Sequence, residues 1–518
     1  RDTNSQRYPH AEFASVSGHD AELFKDVFSP EFEASVTAAA EKRCKPNARD
    51  ATLIGTFSDN ELPWAKVWGG GFLDDYLSLP AGSAGFTQAL KFLKDRYPGI
   101  ATFNSLWDTK YENFESITSK EGFKPGPAFD RERAAADREA FLEIVSRRYH
   151  SVVYKAFKKA DPNHLVLGTR FLTGEVPLAV ARGMRGNVDV VGANCYALRS
   201  FPAKFFKDFS EAAGAPILLT EFGYSGYDSG VPMDHSGAIP RVVETQAERA
   251  DKYAWYMKAA LATPEIVGAC WWWYLDGFAG RNIGNFGFID WKDQLWKVLA
   301  DRATWVNHGI YSTILSNPGA NLGPEAPLYK VRWHSDLKLD NDPSSAPDLD
   351  IHMDKALKYE GFGFDQAGLR ADAAFTQDHN NLYISIRVYD KDVKTYAKDF
   401  IEKNHPNIWE MDGVEIRLGW IQGLLYFDQD KPVLSLVPTD PMPGISTSGK
   451  ILKDGYFLQA KIPKADLGPV IQDKRLRLAI GVNDGIAGER HRQLQWPASF
   501  EWIYEETYAI GDLTRTKR

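Results

Sequence analysis

Two glutamates carry the sharpest chemical signal in this sequence. Glu61 stands in LIGTFSDNELPW (53–64) and Glu221 in APILLTEFGY (215–224), each directly after an apolar run that reads as a buried strand. In α/β barrels the loops that follow the strands converge at their carboxyl ends, so an acid placed there faces the mouth where substrates bind. Two carboxyl groups at such a mouth can cleave a glycosidic bond. One protonates the leaving oxygen, and the other attacks the sugar carbon or activates a water. The two lie 221 − 61 = 160 residues apart, so only the fold can bring them together. A single glutamate at a strand end is as often simply solvated, and it is the pair with its flanks that strengthens the signal.

Other strand-end residues are candidates for sugar contact. Arg170 ends HLVLGTR, and Asn194 and Tyr196 end VDVVGANCY. Trp273, Tyr274 and Asp276 end the WWWYLD run, Trp64 follows Glu61, and Tyr224 and Arg281 sit in adjoining loops. Flat apolar sugar faces pack on aromatic rings, whereas core packing is the competing use of the same side chains. In Trp271–Trp272–Trp273, strand neighbours would point to opposite faces, so at most two could face a barrel interior. His235 is a weaker candidate, a lone loop histidine.

The elements that must position these residues follow from periodicity. Between 51 and about 312, short apolar runs alternate with helical patterns. The runs are 51–57, 164–171, 188–196, 215–222 and 265–274, and each reads as a strand buried on both faces, as in a parallel sheet. The helical patterns include Pro30–Arg43, Gly85–Tyr97, Arg131–Lys159, Pro202–Ala213 and Gln246–Ala262. Repeating strand–helix units imply an α/β fold, a (β/α)8 barrel or a doubly wound sheet. Only five such strands are legible, with none expected in the first fifty residues. Residues 313–350, rich in Pro, Gly, Asn, Ser and Asp, read as a linker. From 351 to 518 the period changes to two, as in NLYISIRVYD and RLRLAIGVND, the pattern of an antiparallel β-sandwich.

Bulk properties restrict the partners. The 518 residues carry a net charge of −8, which argues against a nucleic-acid partner and is compatible with a neutral polysaccharide. No run of 18 apolar residues occurs, so no membrane-spanning helix is expected. Cys44, Cys195 and Cys270 form no CxxC or Cys/His ligand pattern, so no metal site is expected among them and no cofactor is required.

The motifs also carry a resemblance. SDNELPW resembles the strand-four motif of clan A glycoside hydrolases. FLKDRYPGIATFNSLWDTKYENFESI, ADPNHLVLGTRF, VDVVGANCY, LLTEFGYSGYDSG and WWWYLDGFAGRNIGNFGFID resemble, in order, the agarase family 50 and the related β-galactosidase family 42, over roughly residues 25–310. The resemblance implies a TIM-type barrel in residues 1–312, with Glu61 as acid/base and Glu221 as nucleophile of a retaining enzyme. It also implies that Asn60 binds the sugar 2-hydroxyl, and that the substrate is a galactose-containing, agarose-like polysaccharide. In a retaining enzyme the carboxyl groups stand about 5–5.5 Å apart, and burial beside a second carboxylate keeps the acid protonated. Another clan A β-glycanase (a β-glucanase or β-mannanase) and a non-catalytic carbohydrate-binding or structural protein with a decayed barrel are the alternatives. Matched to the family, these residues hold strands four to eight. The first three units are then expected on a separate N-terminal segment that completes the barrel. A secreted or periplasmic location is inferred from the polymeric substrate.

Residues 351–518 resemble carbohydrate-binding module family 9, through ADAAFTQDHNNLYISIRVYDKD, IWEMDGVEIRLGW, YFLQAKIPKADL and LRLAIGVNDG. Trp409 and Trp496 are expected in the core and Trp420 as a stacking residue. Asp372, Asp390 and Asp412 are candidates for a structural Ca2+, a cation that binds through oxygen ligands.

Overall fold

The computed structural model describes residues 8–17, 26–64, 71–117, 123–174, 176–197, 200–231, 242–277, 284–310, 327–334, 337–354, 356–358, 363–365, 368–391, 393, 395, 412–419, 421–437, 444–471, 473–486, 489–497 and 508–514. The chain divides into two compact units. One comprises Arg1–Cys195, Ala203–Phe222 and Thr263–Trp271, and the other Tyr196–Pro202, Gly223–Ala262 and Trp272–Arg518.

The first unit is built on a six-stranded, all-parallel, curled sheet. Its strands are β1 (His10–Phe13), β2 (Leu53–Asn60), β3 (Leu165–Leu172), β4 (Val191–Asn194), β5 (Ile217–Phe222) and β6 (Ile266–Trp271). They lie side by side in chain order. A doubly wound sheet reverses its strand order at a switch point, and none occurs here. Sequential order of parallel strands is the half-barrel arrangement. β1 is a correction to the five strands legible in the sequence. HAEF is too short and polar to announce itself, yet it pairs with β2 from His10↔Leu53 to Phe13↔Phe57.

Helices fill the crossovers. α1 (Pro30–Arg43) starts where the sequence predicts, because the Ser29 side chain accepts from the Phe32 N–H and proline stands at the first helical position. Between β2 and β3 run α2 (Phe72–Leu77), α3 (Ala84–Arg96), α4 (Ile100–Trp107) and the 30-residue α5 (Arg131–Ala160). α6 (Leu178–Met184) joins β3 to β4, and α7 (Ala203–Ala213) joins β4 to β5. Close contact sets residue size within the sheet. A Cβ on Gly55 would stand 2.4 Å from the Leu165 carbonyl oxygen. β6 is more exposed than the buried strand expected, with Val267 61% exposed.

The second unit contains α8 (Gln246–Leu261), α9 (Lys297–His308) and the predicted β-sandwich. One sheet orders 332–333, 370–377, 381–389, 455–463 and 446–452, with 351–353 paired to 370–377. The other orders 363–365, 356–358, 489–496, 475–486, 413–418, 421–428 and 431–437. Strand 509–512 pairs with 475–486, and 328–330 pairs with 509–512. The stretch read as a linker therefore supplies two sandwich strands, 328–330 and 332–333. Alternate residues such as Ile384, Ile386, Val388, Ile416, Leu458 and Ile480 bury one core between the sheets. Trp496 packs on it beside Tyr329 and Phe375, whereas Trp409 and Trp420 lie outside the described residues.

Candidate active site

Strand register places the acids. β2 pairs with β3 through Phe57↔Gly168 and then Asn60↔Arg170, so three steps on β2 face two on β3. β4 pairs with β5 through Ala193↔Leu219 and then Asn194↔Glu221, again with one residue extra. Such bulges turn a strand's last side chains out of the regular alternation. They fall directly before Asn60–Glu61 and at Thr220–Glu221. Glu61 itself has φ +48°, a left-handed conformation, and its N–H donates to the Arg170 carbonyl at 2.8 Å.

Asn194 joins the two halves of the site. It is fully buried at the end of β4. Its side-chain amide donates to Glu61 Oε1 at 2.7 Å and to Asn60 Oδ1 at 3.2 Å. Its Oδ1 accepts from the Thr220 hydroxyl at 2.7 Å, one residue before Glu221. The Glu221 carbonyl in turn accepts from the Cys195 N–H at 2.8 Å. An amide that donates to one acid and is locked by the neighbour of the other fixes its own orientation and the position of Glu61.

Arg170 holds the second acid. Its guanidinium lies 2.9 Å from Glu221 Oε1, with side-chain exposures of 18% and 9%. The cation also sits 4.5 Å from the Phe13 ring centroid, which gives the short strand β1 a place in the site. Arg170 was expected to meet sugar, and the described contacts of its guanidinium are with Glu221, Phe13 and Phe57. Burial was expected to keep Glu61 protonated, yet Glu61 is exposed, because the left-handed turn after β2 carries it out of the sheet.

A residue not singled out in the sequence anchors the strand behind Glu61. Asp59 is 5% exposed, and burial pushes its carboxyl up to about 6 against the hydrogen bonds that pull it down. Those come from the Tyr149 hydroxyl of α5 at 2.5 Å and the Ser17 N–H at 3.0 Å. The only sequence signal was a run of four polar residues in FSDNE, where a buried strand calls for apolar ones.

Several predicted sugar contacts have other partners. Trp64 is 1% exposed and packs among Phe72, Tyr149, His150 and Phe171, too deep to offer a stacking face. The neighbouring His150 is buried and pushed down to about 4, so it is neutral at pH 7.

In the second unit, Tyr224 is buried, and its hydroxyl donates to the Ala197 carbonyl. Asp276 is also buried, accepting from Gly287 N–H at 2.7 Å, Trp296 Nε1 at 2.8 Å and Asn285 Nδ2. Burial raises its carboxyl above the usual range. The same burial lowers the nearby Arg249 guanidinium to about 9, while the charge of Asp276 opposes that shift. Tyr196 is 3% exposed and meets Trp272 edge-on. Trp273 and Tyr274 remain open, 42% and 67% exposed, and Trp273 stacks on Trp272 with centroids 5.0 Å apart. The strand ends at Trp271, so the alternation expected for the three tryptophans does not reach Trp273. Arg281 and His235 lie outside the described residues.

Of the aspartates expected to hold Ca2+, Asp372 is instead hydrogen-bonded to His352 Nδ1 at 2.7 Å across neighbouring strands. Asp390 and Asp412 come together with Asp484. The three cysteines are free thiols. Among the described residues no helix is long and apolar enough to cross a membrane.

Fold and site define a class, a curled parallel α/β sheet that presents acids at its carboxyl edge, joined to antiparallel sheets. Comparison with known proteins agrees with that class and with the agarase-like resemblance. No family model matches the sequence. Beta-agarase B of Vibrio sp. (strain JT0107) is 30% identical over 304 residues, 55% of this chain and 30% of that protein. Beta-agarase A of the same strain is 28% identical over 304 residues, 55% of this chain and 29% of that protein. The crystal structure of an agarase, AgWH50C, aligns with a TM-score of 0.53 at 25% identity, covering 60% of this chain and 46% of that one. The structure of PfGH50B aligns with a TM-score of 0.50, also at 25% identity, covering 56% and 43%. The chain thus spans about 30% of the length of the curated relatives it matches.

Proposed function

We propose that this chain carries the catalytic acids of a glycoside hydrolase acting on a galactose-containing, agarose-like polysaccharide. Glu61 is the acid/base and Glu221 the nucleophile of a double displacement that retains anomeric configuration. Asn60 and Asn194 line the sugar side of the pair. The observation that supports this reading best is Asn194, which donates to Glu61 while Thr220, the neighbour of Glu221, donates to it. The similarity to β-agarases A and B supports the choice of polymer. A polymeric substrate carries with it an exported location. The sandwich, by its resemblance to carbohydrate-binding module family 9, is assigned to substrate attachment.

The test is agarose hydrolysis by wild type, Glu221→Gln and Glu61→Ala, with the first-formed product anomer followed by proton NMR. Loss of about a thousandfold or more in kcat is expected for Glu221→Gln. Glu61→Ala should recover on substrates with good leaving groups, where protonation matters less. Equal loss on both substrate kinds refutes the acid role of Glu61. An inverted first product refutes double displacement but leaves hydrolysis standing. A wild type that binds the polymer and releases nothing from any β-glycan refutes the enzyme reading.

A further inference from the structure

The turn that carries Glu61 is held from both sides by neighbouring residues of one helix. On the strand side, Asp59 accepts from the Tyr149 hydroxyl of α5 at 2.5 Å, and that hydroxyl also stands 3.0 Å from the Ser58 hydroxyl. The other Asp59 oxygen accepts from the Ser17 N–H at 3.0 Å, so the chain beyond β1 joins the same anchor. On the far side, Trp64 lies flat against His150, with ring centroids 5.5 Å apart and planes 18° apart, and it meets the Tyr149 ring edge-on at 5.4 Å. His150 is itself fixed, with Nδ1 2.8 Å from the Ser146 carbonyl one turn earlier. Tyr149, His150 and Trp64 are each no more than 1% exposed, so water competes for none of these contacts.

Only Asn60, Glu61, Leu62 and Pro63 separate the two anchors. Within that span Glu61 has φ +48°, a left-handed conformation that a residue with a Cβ adopts at a cost and keeps only where its surroundings over-determine it. The Glu61 N–H bond to Arg170 and a Trp64 N–H bond to the Leu62 carbonyl, both 2.8 Å, close the turn, and the Pro63 ring stiffens it. Released at either end, the turn would relax toward extended backbone and swing the Glu61 carboxyl with it. We propose that Tyr149 and His150 are positioning residues, a two-point clamp on α5 that holds the Glu61 carboxyl where a leaving oxygen can take its proton. The inference rests on Glu61 being the acid/base. It assigns the clamp to this acid alone, because Glu221 is held by Arg170.

The test is kcat/KM of the full chain on agarose and on a dinitrophenyl β-galactoside. This parameter reports bond cleavage, and only the first substrate needs a proton on its leaving oxygen. Tyr149→Phe keeps the ring and removes the hydroxyl. Trp64→Phe keeps an aromatic ring against His150 with less overlap. Each should lower kcat/KM on agarose about tenfold and on the aryl galactoside less than about twofold, a weaker form of the split expected of Glu61→Ala. Tyr97→Phe is the matched control, since Tyr97 is another buried tyrosine that donates to a buried aspartate of α5, Asp137, and accepts from Trp107. It should show no split, because a packing defect lowers the active fraction equally for both substrates. Equal loss on the two substrates, or none on either, in both Tyr149→Phe and Trp64→Phe overturns the clamp, while a split in Glu61→Ala leaves the acid role standing. The same split in Tyr97→Phe also overturns the clamp. A wild type inactive on both substrates overturns the glycosidase reading and the clamp together.

Discussion

Replacing Asp59 by asparagine isolates the cost of holding a carboxylate inside the first unit. Asp59 titrates near 6 in the fold against an ordinary value of 3.8, with burial as the largest cause. The folded chain therefore binds this proton more tightly than the unfolded chain, and stability falls as pH rises between the two values. Below 3.8 both states are protonated and the group costs nothing. Above 6 both are ionised and the full cost applies. The gap, 6 − 3.8 = 2.2 units, corresponds to about 3 kcal/mol at 1.36 kcal/mol per unit. Most of that change, roughly 2 kcal/mol, should appear between pH 4 and 7.5. Asparagine does not titrate, and whatever its amide costs against Tyr149 and Ser17 is nearly the same at both pH values. The difference in stability between wild type and Asp59→Asn should thus shift by roughly 2 kcal/mol in favour of the variant as pH rises from 4 to 7.5. Urea titrations read by hydrogen exchange of the 53–60 peptide report this unit rather than the sandwich. Parallel wild-type and variant curves across that range would refute the buried-carboxylate argument, as would a slope of opposite sign.

The remaining predictions concern the contacts to the two acids. Asn194→Ala removes the hydrogen bond to Glu61, about 0.5–1.5 kcal/mol, so kcat/KM should fall roughly 2- to 10-fold, mostly in kcat. Unchanged kcat in a folded variant would remove Asn194 from the site. Arg170→Met leaves Glu221 without its opposite charge, a loss of about 3–5 kcal/mol for a buried pair. Activity should drop more than about a hundredfold, with the acid limb of the pH–rate profile moved to higher pH. Arg170→Lys should restore part of it, and a methionine variant with the wild-type profile would show that the ion pair is idle.

What could be read directly in the residues is what local physics dictates. The strand ends at Glu61 and Glu221 are visible because apolar runs stop there and polar residues begin. α1 is visible because Ser29 and Pro30 cap and start it. The sandwich is visible because alternation persists from strand to strand. His10–Phe13 escaped notice because four residues carry too little periodicity, and pairing with β2 supplies what its sequence lacks.

The sequence alone determined that acids stand at the carboxyl ends of parallel strands and that an alternating sandwich follows. Only the tertiary structure decided what those acids touch. Arg170 turned from a sugar contact into the partner of Glu221, and Trp64, Tyr224 and Asp276 turned inward. Asp484 joined Asp390 and Asp412, while Asp372 paired with His352. Which side chain faces which across neighbouring strands depends on register, and register here shifts at bulges after Phe57 and Ala193. A one-residue shift reassigns side-chain neighbours, and it arises from pairing between segments distant in the chain, which no local window contains.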